Sequence, residues 1–193
     1  MNIVDCKAAL KILKSGLPIV FPTDTLPAIG CLPEFSNVIY KFKKRDKNKP
    51  LILMGSEHKQ LIDYVHESAI EDFESIASKY WPGALTMVIP SSEKETEILT
   101  STDNTLGLRI PNSYMAQSLL TEIGPLLTSS ANISGFTGSI TAEGIALDFP
   151  SLGILGPVPW EKSSGKASTI ISWKKNRDWR LIRKGEVSVE ELN

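Results

Sequence analysis

Short apolar runs that close on proline or glycine, separated by segments of helical spacing, constrain this chain more than any other feature. Ile19–Phe21 ends at Pro22, Leu51–Met54 lies between Pro50 and Gly55, and Leu106–Ile110 ends at Pro111; Leu85–Ile89 is a further run of this kind. Such runs are too short for helices and fit buried strands. Between them, Asp5 caps a helix with Ala9, Ile12 and Leu13 on one face and Gly16 just past its end. Asn37–Lys43 offers Val38, Ile39 and Phe42 for burial, and the spacing predicts an amphipathic helix over Ile70–Trp81, stopped by Pro82-Gly83. Ser113 caps another that runs to about Gly124, after which Leu126-Leu127 leads into a polar loop, Thr128–Gly135. Gly135–Gly165 is rich in Gly, Pro and Ser and reads as loops, whereas Ser168–Trp173 and Trp179–Arg183 read as strands around a turn at Lys174–Asp178. The alternation predicts one mixed α/β domain over residues 1–193, a twisted sheet with helices packed on it.

Composition narrows the function classes. The chain is 41% hydrophobic and 22% charged, a globular balance, and its net charge of −1 provides no overall field toward RNA or an anionic membrane. Any nucleic-acid contact must come from local patches. Cys6 and Cys31 form no CxxC pair, which fits a reducing cytoplasm. Asp5 and Lys7 interrupt the first ten residues, so no signal peptide is expected, and no apolar run is long enough to span a bilayer. Gly165-Lys166 is followed by Ala167, with Trp160 where a phosphate loop needs its first glycine, and neither GxGxxG nor GxSxG occurs. His58 and His66 are the only histidines and stand in no metal spacing, so no protein-held metal site is expected.

What remains is chemistry by cations, hydroxyls and amides. Thr23-Asp24-Thr25 follows a strand and Pro22; it fits either a hydroxyl turn or the strand-end position where open α/β sheets bind ligands. From Lys41 to Lys49, Lys41, Lys43, Lys44, Arg45, Lys47 and Lys49 are basic, either a solvated face or a phosphate grip. Arg109 sits inside an apolar strand, where it points to solvent or requires an anion. Thr128-Ser129-Ser130-Ala131-Asn132 concentrates hydroxyls and an amide, and fits a helix cap as well as a ribose or phosphate site.

These segments, in this order, resemble the YrdC family of threonylcarbamoyl-AMP synthases. The resemblance runs from Pro22-Thr23-Asp24-Thr25 through Lys43-x-Arg45 with Pro50-Leu51, Gly107-Leu108-Arg109-Ile110-Pro111 and Thr128–Gly135 to Ser168-Thr169-Ile170 and Arg183-x-Gly185. It implies an open twisted mixed sheet with helices packed on it and a deep, positively charged cavity. It also implies a reaction: threonine and bicarbonate or carbon dioxide give N-carboxythreonine, whose carboxylate attacks the α-phosphate of ATP, releasing pyrophosphate. The threonylcarbamoyl-AMP then serves modification of adenosine-37 of tRNA, with t6A-transfer proteins as partners. Carried over residue by residue, Lys43, Arg45, Ser130 and Asn132 are the catalytic set. With Lys49, Ser139 and Arg183 they hold ATP and its Mg²⁺. Thr23, Arg109, Thr128 and Ser168 form the threonine pocket.

Leu26-Pro27 stand where many members have an aromatic residue and a glycine, and Met54 stands where some have a histidine. Both touch the amino-acid pocket. Longer members add a second C-terminal domain, which a chain stopping at Asn193 is not expected to carry. Two other readings stay open. One is a double-stranded RNA or tRNA-binding protein without this activity, using Lys41–Lys49 with Lys174, Lys175, Arg177 and Arg180. The other is carbamoyl chemistry on a different acceptor.

Overall fold

A computed structural model describes residues 1–92, 103–175 and 178–188. Its strands are β1 (Asn2–Val4), β2 (Ile19–Phe21), β3 (Ala28–Cys31), β4 (Ile52–Met54), β5 (Leu85–Pro90), β6 (Thr105–Arg109), β7 (Leu126–Ser130), β8 (Gly153–Leu155), β9 (Thr169–Lys175) and β10 (Asp178–Arg183). They join in one mixed sheet in the order β1-β8-β2-β3-β7-β4-β6-β5-β9-β10. The helices are α1 (Cys6–Lys14), α2 (Asn37–Lys43), α3 (Lys59–Ile62), α4 (Ile70–Tyr80), α5 (Tyr114–Ile123) and α6 (Ala142–Asp148).

The capping predictions are borne out. The Ala8 amide donates to Asp5 Oδ1 at 2.8 Å to start α1, and Gly16 beyond its end takes φ +85°. The Ser113 side chain caps α5. Two corrections concern polar stretches. Gly135–Gly165, expected as loops, holds α6, capped by Thr141, and β8, which pairs with β1 and β2 on its two sides. Thr128, Ser129 and Ser130 extend β7 rather than opening the loop. The turn between β9 and β10 includes two residues outside the described set, Arg177 among them.

Alternation along the strands sorts the apolar side chains into two layers. Val20, Leu53, Leu85, Met87, Leu108, Leu127 and Ile171 face one way, onto a core that Ile39 of α2, Phe73 of α4 and Ile145 of α6 complete. Ile19, Phe21, Met54 and Leu126 face the other way, onto Ala9 and Leu13 of α1 and Ala116, Leu119 and Leu120 of α5. The second layer covers less of the sheet than the first. Over β4, β6, β5 and β9 the alternate residues Ile52, Gly107, Thr86, Val88 and Ile170 border a hollow instead. Gly107 contributes no side chain there, so floor space opens between Ile52 and Thr86.

Candidate functional site

The hollow encloses about 430 Å³. Its lining takes Thr128 and Ser130 from β7, Arg109 from β6, Arg45 and Lys49 from the segment after α2, and Ser168 and Arg183 from either end of the β9–β10 hairpin. Four cations therefore border one space, and among the described residues no Asp or Glu joins the lining. Of the departures from the family pattern, Leu26 and Met54 are also in the wall, whereas Pro27 is not.

Arg109 faces inward and is 3% exposed. A buried guanidinium requires partners, and the chain supplies them. Nη2 donates to Asp24 Oδ1 at 2.6 Å, Nη1 to Thr25 Oγ1 at 2.7 Å and Nε to the Gly83 carbonyl at 3.0 Å. Asp24 Oδ1 also accepts from the Asn112 amide. The anion that Arg109 demands thus comes from Asp24, not from a substrate alone. Burial pulls the guanidinium's pKa below its ordinary value, and the Asp24 charge opposes that pull.

Thr23 stands behind this pair and is absent from the lining. Its hydroxyl donates to the Leu26 carbonyl at 2.8 Å, accepts from the Thr25 amide and sits 3.1 Å from Thr25 Oγ1. Thr25, part of the candidate turn Thr23-Asp24-Thr25 but given no place in the threonine pocket, reaches the hollow instead.

Lys43 is 1% exposed, on the inner face of α2, and also absent from the lining. Its ammonium donates to Ser129 Oγ at 2.9 Å, to the Ser130 carbonyl, and at 3.4 Å to Asn132 Oδ1. Ser130 Oγ donates to the same Asn132 oxygen at 2.6 Å. Lys43, Ser129, Ser130 and Asn132 therefore form one network, which Ser129 and Ser130 present to the hollow while Asn132 stays out of its lining. Burial, with Arg45 adding like-charge repulsion, pulls the Lys43 ammonium down to about 7. Lys44 ends α2 in the left-handed region at φ 50°, and the Arg45 amide bonds back to the Tyr40 carbonyl at 2.9 Å. That turn separates Lys43, directed inward, from Arg45, whose Nε and Nη2 bond the Lys49 and Pro50 carbonyls at 3.1 and 3.0 Å.

Thr128 Oγ1 donates to the Ile52 carbonyl at 2.8 Å. Ser139 is not brought to the hollow. It sits at the start of α6, where its Oγ accepts from the Thr141 amide at 3.1 Å. Among the described residues no group of three or more His, Cys, Asp or Glu converges to hold a metal ion.

Together these features define a class: a mixed α/β protein whose half-covered sheet face carries a cation-walled hollow. Residues 11–185 match the family model Sua5/YciO/YrdC, described as telomere recombination, and the chain belongs to that family. It is 32% identical over 179 residues to a threonylcarbamoyl-AMP synthase of Buchnera aphidicola subsp. Baizongia pistaciae, covering 89% of this chain and 96% of the relative. A threonylcarbamoyl-AMP synthase of Yersinia pestis (strain Pestoides F) is 33% identical over 153 residues, 76% of this chain and 80% of that one. Among solved structures, P. abyssi Sua5 complexed with L-threonine superposes with a TM-score of 0.89 at 27% identity. It covers all of this chain, which spans 60% of that Sua5 chain's length. E. coli YciO, at 21% identity, shares the fold, with a TM-score of 0.82 over 100% of this chain and 98% of its own.

Proposed function

We propose that this chain is an L-threonylcarbamoyladenylate synthase, a nucleotidyltransferase that uses ATP, L-threonine and bicarbonate or carbon dioxide. The observation that carries the reading is the one hollow on which Arg45, Lys49, Arg109 and Arg183 converge with Thr128, Ser130 and Ser168, with no lining carboxylate among the described residues. The names of the relatives and the threonine held by P. abyssi Sua5 support the choice of substrates.

The amine of threonine adds to carbon dioxide, losing a proton, and gives the carbamate. A carbamate oxygen then bonds to the α-phosphorus as the bond to the bridging oxygen breaks, and pyrophosphate leaves with that electron pair. Such a displacement requires alignment and charge neutralisation rather than a protein nucleophile. Arg45, Lys49 and Arg183 take the triphosphate, and the Ser130–Asn132 turn, charged from behind by Lys43, faces the α-phosphate and ribose. Arg109 retains N–H groups beyond those bonded to Asp24, Thr25 and Gly83 for the amino-acid carboxylate, next to Thr128. Ser139, at the start of α6, would reach the nucleotide only at its outer edge. Mg²⁺ fits as an ion carried by the triphosphate, since the donors present are hydroxyls and an amide rather than a carboxylate cage; it would neutralise phosphate charge.

Residues 1–193 act as one domain in this reading, in the cytoplasm, where the free thiols Cys6 and Cys31 stay reduced. No described helix is long and apolar enough to cross a membrane. The decisive experiment measures pyrophosphate release from ATP with threonine and bicarbonate added singly and together. Release that requires both supports the proposal; no threonine-dependent release rejects it.

A second function, RNA contact, rests on the exposed Lys41, Lys44 and Lys47 and on the exposed Lys174, Lys175 and Arg180 of the hairpin. It would present tRNA and the transfer proteins to the product, and it predicts RNA affinity that falls steeply with salt.

A further inference from the structure

Thr86 is a buried hydroxyl on β5, 0% exposed, in the wall of the hollow. A threonine in the middle of a buried strand leaves a polar group that must be satisfied. Its partner is Ser168: Thr86 Oγ1 and Ser168 Oγ lie 2.9 Å apart. Ser168, 3% exposed, is in turn the anchor of Arg183. Arg183 Nε and Nη2 donate to the Ser168 carbonyl at 3.2 and 2.8 Å, and Nη2 also donates to Ser168 Oγ at 3.1 Å.

The chain around Arg183 is built to bring it there. A register shift between Leu181 and Arg183 places Arg183 opposite Ile170, and such bulges turn a side chain from one direction to another. Two residues on, Gly185 lies against the Ala167–Thr169 backbone so closely that a Cβ would stand 2.4 Å from three of its atoms. The end of β10 is thereby pressed onto the start of β9, which Ser168 immediately precedes. Both N–H groups of Arg183 Nη1 remain without a partner among the described residues, and Arg183 lines the hollow.

We propose that Thr86 is a positioning residue for Arg183: through Ser168 it fixes where the guanidinium enters the hollow and so sets the grip on the nucleotide's phosphates. The inference rests on the synthase reading for the identity of the nucleotide. It also reassigns Ser168 from the threonine pocket to the phosphate side, because the serine's carbonyl and hydroxyl are both engaged by Arg183.

Thr86→Val keeps the branched shape that suits a strand and removes only the hydroxyl, whereas Thr86→Ser keeps the hydroxyl. Both are measured as the full chain, alongside Arg183→Ala and the Thr86→Val/Arg183→Ala double variant. Thr86→Val should raise the KM for ATP about 2- to 12-fold, the worth of one hydrogen bond, with KM for threonine and kcat within about twofold of wild type. Thr86→Ser should restore the wild-type value. The double variant should bind ATP no worse than Arg183→Ala alone, since the two act in series.

Calorimetric titration with ATP and with inorganic tripolyphosphate reads the same loss without turnover. If wild type makes no threonine-dependent pyrophosphate, the synthase reading fails, and the tripolyphosphate series still decides the role of Thr86. Ser168→Ala gives an independent variant should Thr86→Val fold poorly, and it should show the same selective loss of phosphate affinity. A rise in the KM for threonine with ATP unchanged, or additive losses in the double variant, would overturn the proposal.

Discussion

Replacing Lys43 with methionine should make the protein more stable at neutral pH while removing its activity. The ammonium is buried among neutral acceptors, and no carboxylate among the described residues is bonded to it. Lowering the amine from 10.5 to about 7 corresponds to about 5 kcal/mol of unfavourable charge burial at neutral pH, at about 1.4 kcal/mol per pH unit. Against this stand three hydrogen bonds, together about 3 kcal/mol. Asn132 Oδ1 keeps the Ser130 hydroxyl, the Ser130 carbonyl keeps the Asn132 amide, and the third acceptor, the Ser129 hydroxyl, borders the hollow, where solvent meets it. The net gain on Lys43→Met is therefore about 2 kcal/mol, or roughly 4–8 °C in Tm for a chain of this size.

The sign of the pH dependence follows from proton counts. The unfolded chain keeps this lysine protonated up to 10.5, the folded chain only up to about 7. Between those values the unfolded state binds more protons, so this group's contribution to wild-type stability grows as pH rises and is lost as pH falls toward 7. The methionine variant lacks the group. Its advantage should be full at pH 7 and below, then shrink and reverse toward pH 10.5. Parallel thermal melts of the two proteins from pH 6 to 10 read this directly, and pyrophosphate release should fall about 10²- to 10³-fold. A variant that melts several degrees below wild type at pH 7 would show that the hydrogen bonds outweigh the buried charge, and a gap that does not change with pH would show that the amine titrates alike in the folded and unfolded chains.

Asp24→Ala removes the counter-charge of a guanidinium that is 3% exposed; the urea midpoint should drop by the equivalent of about 3–5 kcal/mol with the slope unchanged. Lys44→Gly relieves a left-handed residue at φ 50° and should raise Tm by the equivalent of up to about 1 kcal/mol. Gly185→Ala drives a Cβ into the Ala167–Thr169 backbone; the chain should lose about 1–3 kcal/mol of stability in urea unfolding, and weaker ATP binding in calorimetry should accompany it as the Arg183 anchor shifts.

Local rules made much of this protein legible before folding. Asp5 and Ser113 cap the helices that α1 and α5 became, because a cap is a bond between a side chain and amides within three residues of it. Strands β4, β5 and β6 were evident as apolar runs bounded by proline or glycine. The strands that escaped notice, β1, β3 and β8, are three or four residues long, and β8 lies inside a stretch rich in glycine and proline. Nothing in Gly153-Ile154-Leu155 distinguishes it from a loop until β1 and β2 stand on either side.

The site divides in the same way. The residue types were set by the chain alone: cations, hydroxyls and an amide, with almost no histidine or cysteine, so the chemistry had to be electrostatic. Which cation reaches the hollow and which supports another group was decided by pairings across the fold. Lys43 meets its acceptors 86 to 89 residues away, and Arg109 meets Asp24 85 residues away. Side-chain type is local, whereas the counter-charge that determines a buried cation's role is chosen by which strands lie side by side.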